Sequence, residues 1–230
     1  MRNARSFPQV REGGKDKKWY NLAEVEGVQT LHIYDEIGYW GITASSLVKD
    51  LASLGGQDLT VHMNTPGGEV FDGIAIYQAL KSYTGDVTVI VDSLAASIGS
   101  VIAMAGDTVV MAKNATIMIH EGHSVVAGNA AEMQHMAMQL DNASANIASI
   151  YAEKAGGTVD KWREYMRAET WFNADEAVRA GLADEIQGQS SATSDAFDLS
   201  MYNYAGRFYA PAPVGIPPMV NKDIKLDTPI

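Results

Sequence analysis

Between residues 87 and 106 the apolar pattern changes its period. Val87 to Val91 is a β-branched run of the kind that forms a buried strand, whereas Ile98, Val101, Ile102 and Ala105 recur at helical spacing. Ser97 lies at that junction. The same alternation runs along most of the chain. Residues Trp19 to Tyr34 suggest strands joined through Glu26-Gly27, and Leu47, Leu51 and Leu54 mark a helix stopped by Gly55-Gly56. A strand over 59–63 runs into Thr65-Pro66-Gly67-Gly68, after which Val70, Ile74, Tyr77 and Leu80 line one helix face. Strands at 108–111 and 116–119 precede a long helix that opens at Asn129 with Glu132 in capping-box position. That helix carries Met133, Met136, Leu140, Ile147 and Ile150, and it ends near Gly156-Gly157. Strands alternating with helices in this way predict an α/β fold.

A serine between strand and helix has two ordinary uses. It caps the helix, or it is a nucleophile beside free N–H groups that would stabilise the oxyanion of acyl transfer. His120 bears on the choice, because the apolar run Thr116 to Ile119 ends abruptly in it. A neutral imidazole at such a strand end can face a cleft and take a serine proton. The Pro66-Gly67-Gly68 turn is either a plain strand-to-helix connection or a place where a peptide N–H is aimed into a cleft. His123 is close enough in sequence to rival His120 as base. His32, His62 and His135 have no partner at ligand spacing, so no metal or other cofactor is expected.

The chain has 230 residues, 47% of them hydrophobic and 20% charged, which suits one well-buried soluble domain with tails. A net charge of −11 argues against a nucleic-acid surface. The absence of cysteine excludes disulfides and thiolate chemistry. No secretory leader is legible, and the longest uncharged stretch, 93–106, is too short to span a bilayer, so a cytoplasmic protein without membrane contact is expected.

Pro66-Gly67-Gly68, Ala95-Ala96-Ser97-Ile98-Gly99 and Met118-Ile119-His120, in this order, resemble the ClpP family of serine peptidases (S14 type). The similarity runs from about Leu31 to Ile186 and includes Trp171-Phe172-Asn173-Ala174-Asp175-Glu176-Ala177-Val178 and Gly181-Leu182-Ala183-Asp184. The resemblance implies the ClpP/crotonase fold, a spiral of ββα units, with the long helix as a handle between rings. The same stripe on that helix equally suits a core-facing element. By the resemblance Ser97 is the nucleophile, His120 the base, and the N–H groups of Gly68 and Ile98 form the oxyanion hole. Glu169 stands where the family commonly has Asp. Asp175 and Asp184 are the alternatives for that third member.

The resemblance also implies a protein or peptide substrate and a homo-oligomeric ring, commonly two stacked heptamers. Segments 33–41 and 68–73 look most like the phage and prophage branch of head maturation proteases, which cut capsid or scaffold proteins inside the host cytoplasm or an assembling prohead. The alternatives are the peptidase subunit of an ATP-dependent Clp protease, with a Clp ATPase as partner, a crotonase-like acyl-CoA enzyme, and a catalytically silent scaffold protein. Residues 1–18 carry six Lys or Arg and read as a flexible basic arm, 19–187 as the peptidase domain. Residues 188–230, with five of the seven prolines, read as an irregular tail.

Overall fold

The computed structural model describes residues 19–38 and 44–187. The basic arm, the tail, and Tyr39, Trp40 and Gly41 lie outside the described residues. What is described is α/β, as expected. Strands β1 (Tyr20–Val25) and β2 (Val28–Ile33) pair antiparallel, followed by α1 (Ala44–Ala52), β3 (Leu59–Thr65), α2 (Val70–Lys81), β4 (Val87–Ala96) and α3 (Ile98–Ala103). Then come β5 (Thr108–Ala112), β6 (Thr116–Ile119), α4 (Ala130–Ala155), α5 (Val159–Arg167), β7 (Thr170–Asn173), α6 (Ala174–Ala180) and β8 (Glu185–Gln187).

The sheet runs β1-β2-β3-β4-β5-β8, parallel from β2 onward, and forks at β4. Residues Thr88 to Val91 of β4 pair with β5, and Leu94 to Ala96 pair with β6. This strand is longer than the run Val87 to Val91 that periodicity marks, because a charged residue at 92 does not end it. The Asp92 carboxylate accepts from Tyr34 Oη at 2.6 Å and lies 2.8 Å from His62 Nδ1. With its charge partnered, the strand continues, changes neighbour, and stops at Ser97. The fork thereby carries the serine out of the main sheet to the end of β6, where His120 follows.

Val61, Met63, Val89 and Val91 are fully buried beneath Leu47, Ile76, Leu80 and Ile102 in one contiguous core. The long helix divides in two. Asn129 caps it with a complete capping box to Glu132, as its sequence predicts. Its buried residues are Ser144, Ile147, Ala148 and Tyr151, all in the second half, while Met133 and Met138 stand 47% and 59% exposed. The second half therefore joins the core, as the core-facing reading expects, and the first half is uncovered. Helix α5, whose Trp162, Tyr165 and Met166 are buried, locks α4 through ring contacts from Tyr151 to Trp162 and from Trp162 to Tyr165, each 5.6 Å between centroids. No helix among the described residues is long and apolar enough to cross a membrane.

Candidate active site

Ser97 occupies the position of an N-cap but its side chain caps nothing. Its hydroxyl lies 2.6 Å from His120 Nε2 instead. The backbone makes this possible. With φ 55° and ψ −127°, Ser97 is held in the left-handed region, a conformation that costs a non-glycine residue about 1–3 kcal/mol and that turns the side chain out of the helix start. Hydrogen bonds hold it on both sides. The Ser97 N–H donates to the Met118 carbonyl at 2.9 Å, and the Ser97 carbonyl accepts from the Ser100 N–H at 3.0 Å. This is the same strand-turn-helix device that presents the nucleophile in α/β-hydrolases.

The glycine turn packs directly against the serine. A Cβ at Gly67 would stand 2.7 Å from Ser97 Cβ, so no larger residue fits. The turn is pinned by the Gly67 N–H donating to Thr65 Oγ1 (3.1 Å) and by Ile37, whose N–H donates to the Gly67 carbonyl at 2.7 Å. The Glu69 N–H returns to the Ile37 carbonyl at 3.0 Å. Between these bonds the Gly68 N–H has no acceptor among the described residues, and the same is true of the Ile98 N–H. These are two main-chain donors flanking the serine. At six residues α3 adds little macrodipole, so the discrete N–H groups, rather than the helix as a whole, are the electrostatic resource.

His120 is largely enclosed. Burial, and after it the neighbouring His123, push its pKa down from the ordinary value to about 4, so the ring is neutral near pH 7. A neutral Nε2 without a proton accepts from the serine hydroxyl, as a general base requires. His123 lies 5.1 Å away between ring centroids but is exposed. The loop after His120 is clamped: Glu121 pairs with Arg163, which also reaches Asp141 at 2.7 Å, and the Gly122 N–H donates to Ser144 Oγ.

For the third member, the antiparallel β6–β7 register ends with Ile119 opposite Thr170, so His120 and Glu169 adjoin the same end of the paired strands. Glu169 itself is held at φ 50°, and its carboxylate accepts from Trp171 Nε1 at 3.3 Å. The alternatives are otherwise engaged or exposed. Asp184 accepts from the Val109 N–H and from Lys154, and Asp175 is exposed in the first turn of α6. His62 serves Asp92 on the sheet, stacked on His32.

A family model described as Clp protease matches residues 27–190, well over half of the chain. The chain belongs to the Clp protease family. It is accordingly a serine-type peptidase by class. Among curated proteins it is 30% identical over 153 residues to the ATP-dependent Clp protease proteolytic subunit of Deinococcus radiodurans, covering 64% of this chain and 75% of that protein. It is 33% identical over 156 residues to the subunit of Streptococcus pneumoniae, covering 64% and 80%, and 31% identical over 132 residues to proteolytic subunit 3 of Rhodococcus jostii, covering 56% and 65%. The chain thus spans just under two thirds of the Rhodococcus protein and three quarters or more of the other two. Membership in the Clp protease family, with these three relatives named as proteolytic subunits, speaks for a peptidase and against the crotonase-like acyl-CoA reading.

Proposed function

We propose that this chain is a ClpP-type endopeptidase in which Ser97 attacks the scissile carbonyl of a protein chain. His120 takes the hydroxyl proton as the Oγ–C bond forms, then gives it to the leaving amine as the C–N bond breaks. Water, deprotonated by the same imidazole, hydrolyses the acyl-enzyme. The Gly68 and Ile98 N–H groups receive the oxyanion, and Glu169 orients the imidazole. The observation that carries the reading is the 2.6 Å Ser97–His120 contact made by a serine that forgoes its cap. Labelling of Ser97 by a fluorophosphonate, absent from Ser97→Ala, tests it.

The pH profile follows from the buried imidazole. Its lowered pKa favours the neutral, active form, so kcat/KM should hold as pH falls below 6.5 and drop only as it passes through about 4. A second expectation concerns Glu169. Beside the same end of the β6–β7 pair as His120, it would orient the imidazole, and Glu169→Gln is expected to lower kcat by about 10⁴-fold, the scale seen when a Ser-His-acid triad loses its orienting carboxylate. A loss of less than about tenfold in the measured kcat would show that Glu169 does not orient the base.

For the setting, we infer cleavage of capsid or scaffold proteins during phage head maturation. The resemblance of segments 33–41 and 68–73 to the phage and prophage branch supports this. The names of the relatives favour a second reading, a subunit of an ATP-dependent Clp protease working with a Clp ATPase. Both place the enzyme in a cytoplasm and in a homo-oligomeric ring, two stacked heptamers in the family pattern, and the uncovered first half of α4 supports assembly. Incubation with a capsid precursor, and separately with a Clp unfoldase and ATP, distinguishes them by which substrate disappears.

A further inference from the structure

The Ser97 carbonyl receives a second donor besides the Ser100 N–H. Ser100 Oγ lies 2.5 Å from it, and a carbonyl only accepts, so the single hydroxyl proton of Ser100 is committed there. Ser100 Oγ is also 2.8 Å from the Tyr151 hydroxyl. With the serine proton already placed, Tyr151 must be the donor in that contact. Both side chains are sealed from solvent, at 0% and 1% exposure, and burial pushes the Tyr151 phenol well above its ordinary pKa, so it keeps the proton it donates. A directed chain results, from Tyr151 on α4 through Ser100 on α3 to the carbonyl of Ser97.

That carbonyl and the Ile98 N–H are opposite ends of one planar trans peptide. Fixing one end aims the other. We propose that Ser100 and Tyr151 are positioning residues for the oxyanion hole: by holding the Ser97 carbonyl they direct the Ile98 N–H at the acyl oxygen and keep the serine in its strained φ. The inference rests on the peptidase reading above and extends it to two residues outside the catalytic group. Two donors on one carbonyl also polarise the amide, which strengthens its N–H as a donor. The arrangement makes α4 part of the site.

Saturation kinetics with an aryl fluorophosphonate test this. In that reaction the Ser97 Oγ–P bond forms as P–F breaks, the serine proton passes to His120, and fluoride leaves, while the phosphoryl oxygen occupies the place of the acyl oxygen. Ser100→Ala is expected to lower kinact about tenfold and Tyr151→Phe about fivefold, each with Ki within about twofold of the parent, as loss of one aimed hydrogen bond implies. The double variant removes both polar ends of a buried pair. Its thermal midpoint should therefore return toward that of the parent while kinact stays as low as in Ser100→Ala. Joint recovery of rate and midpoint would assign the pair a merely structural role and overturn the proposal. So would a kinact for Ser100→Ala within about twofold of a parent that labels at Ser97, and that result would leave the peptidase reading standing. A parent that does not label overturns both. Should Ser100→Ala fail to fold, Tyr151→Phe, which preserves shape, carries the same comparison.

Discussion

Ser97→Ala is expected to abolish fluorophosphonate labelling and to lower peptide turnover by about 10⁶-fold, the scale seen when a serine hydrolase loses its nucleophile. The fold should survive, because the serine hydroxyl caps nothing and its strained backbone is held by main-chain groups of Met118 and Ser100. Thermal midpoint and elution volume should match the parent. Adding His120→Ala to that variant is expected to cost almost nothing more. A base has no task once the proton it accepts is gone, so the two losses do not add. Measured turnover within about tenfold of the parent in Ser97→Ala would mean that another group is the nucleophile, and the 2.6 Å contact would then be structural.

How much of this was readable beforehand depended on whether the signal was local. The strand-to-helix change at Ser97, the abrupt end of β6 at His120 and the Asn129–Glu132 box are carried by adjacent residues, and each appears where the spacing puts it. The true length of β4 was not legible, because the Asp92 charge is partnered by Tyr34 and His62, which come from the end of β2 and from β3. Helix α5 goes unread although it has a signal: Thr158 caps it, and Trp162, Tyr165 and Met166 fall at helical intervals. The Ser100–Tyr151 contact spans 51 positions and has no local mark at all. Glu169 is intermediate between these cases. The family pattern picks out the position, but only the β6–β7 pairing brings it to the strand end that His120 follows.

Gly68→Ala should show that the glycine turn is needed for catalysis as well as for the bend. Gly68 has φ 145°, which L side chains rarely adopt, and a Cβ there would run into the Ile37 carbonyl oxygen and stand 2.7 Å from the Ile37 nitrogen. Both obstacles are backbone, fixed by the bonds from Ile37 to Gly67 and from Glu69 to Ile37, so neither can rotate away. The turn must therefore move, and its N–H with it. Losing one oxyanion donor costs about 10²–10³ in kcat. The strained substitution should also remove about 1–3 kcal/mol of stability. The two effects separate by experiment: kinetics taken well below the melting transition, with the folded fraction measured by circular dichroism, should still show the hundredfold or greater loss. If the alanine variant melts early but turns over normally once the folded fraction is accounted for, the Gly68 N–H is no part of the oxyanion hole, and Ile98 would have to act with a donor other than Gly68.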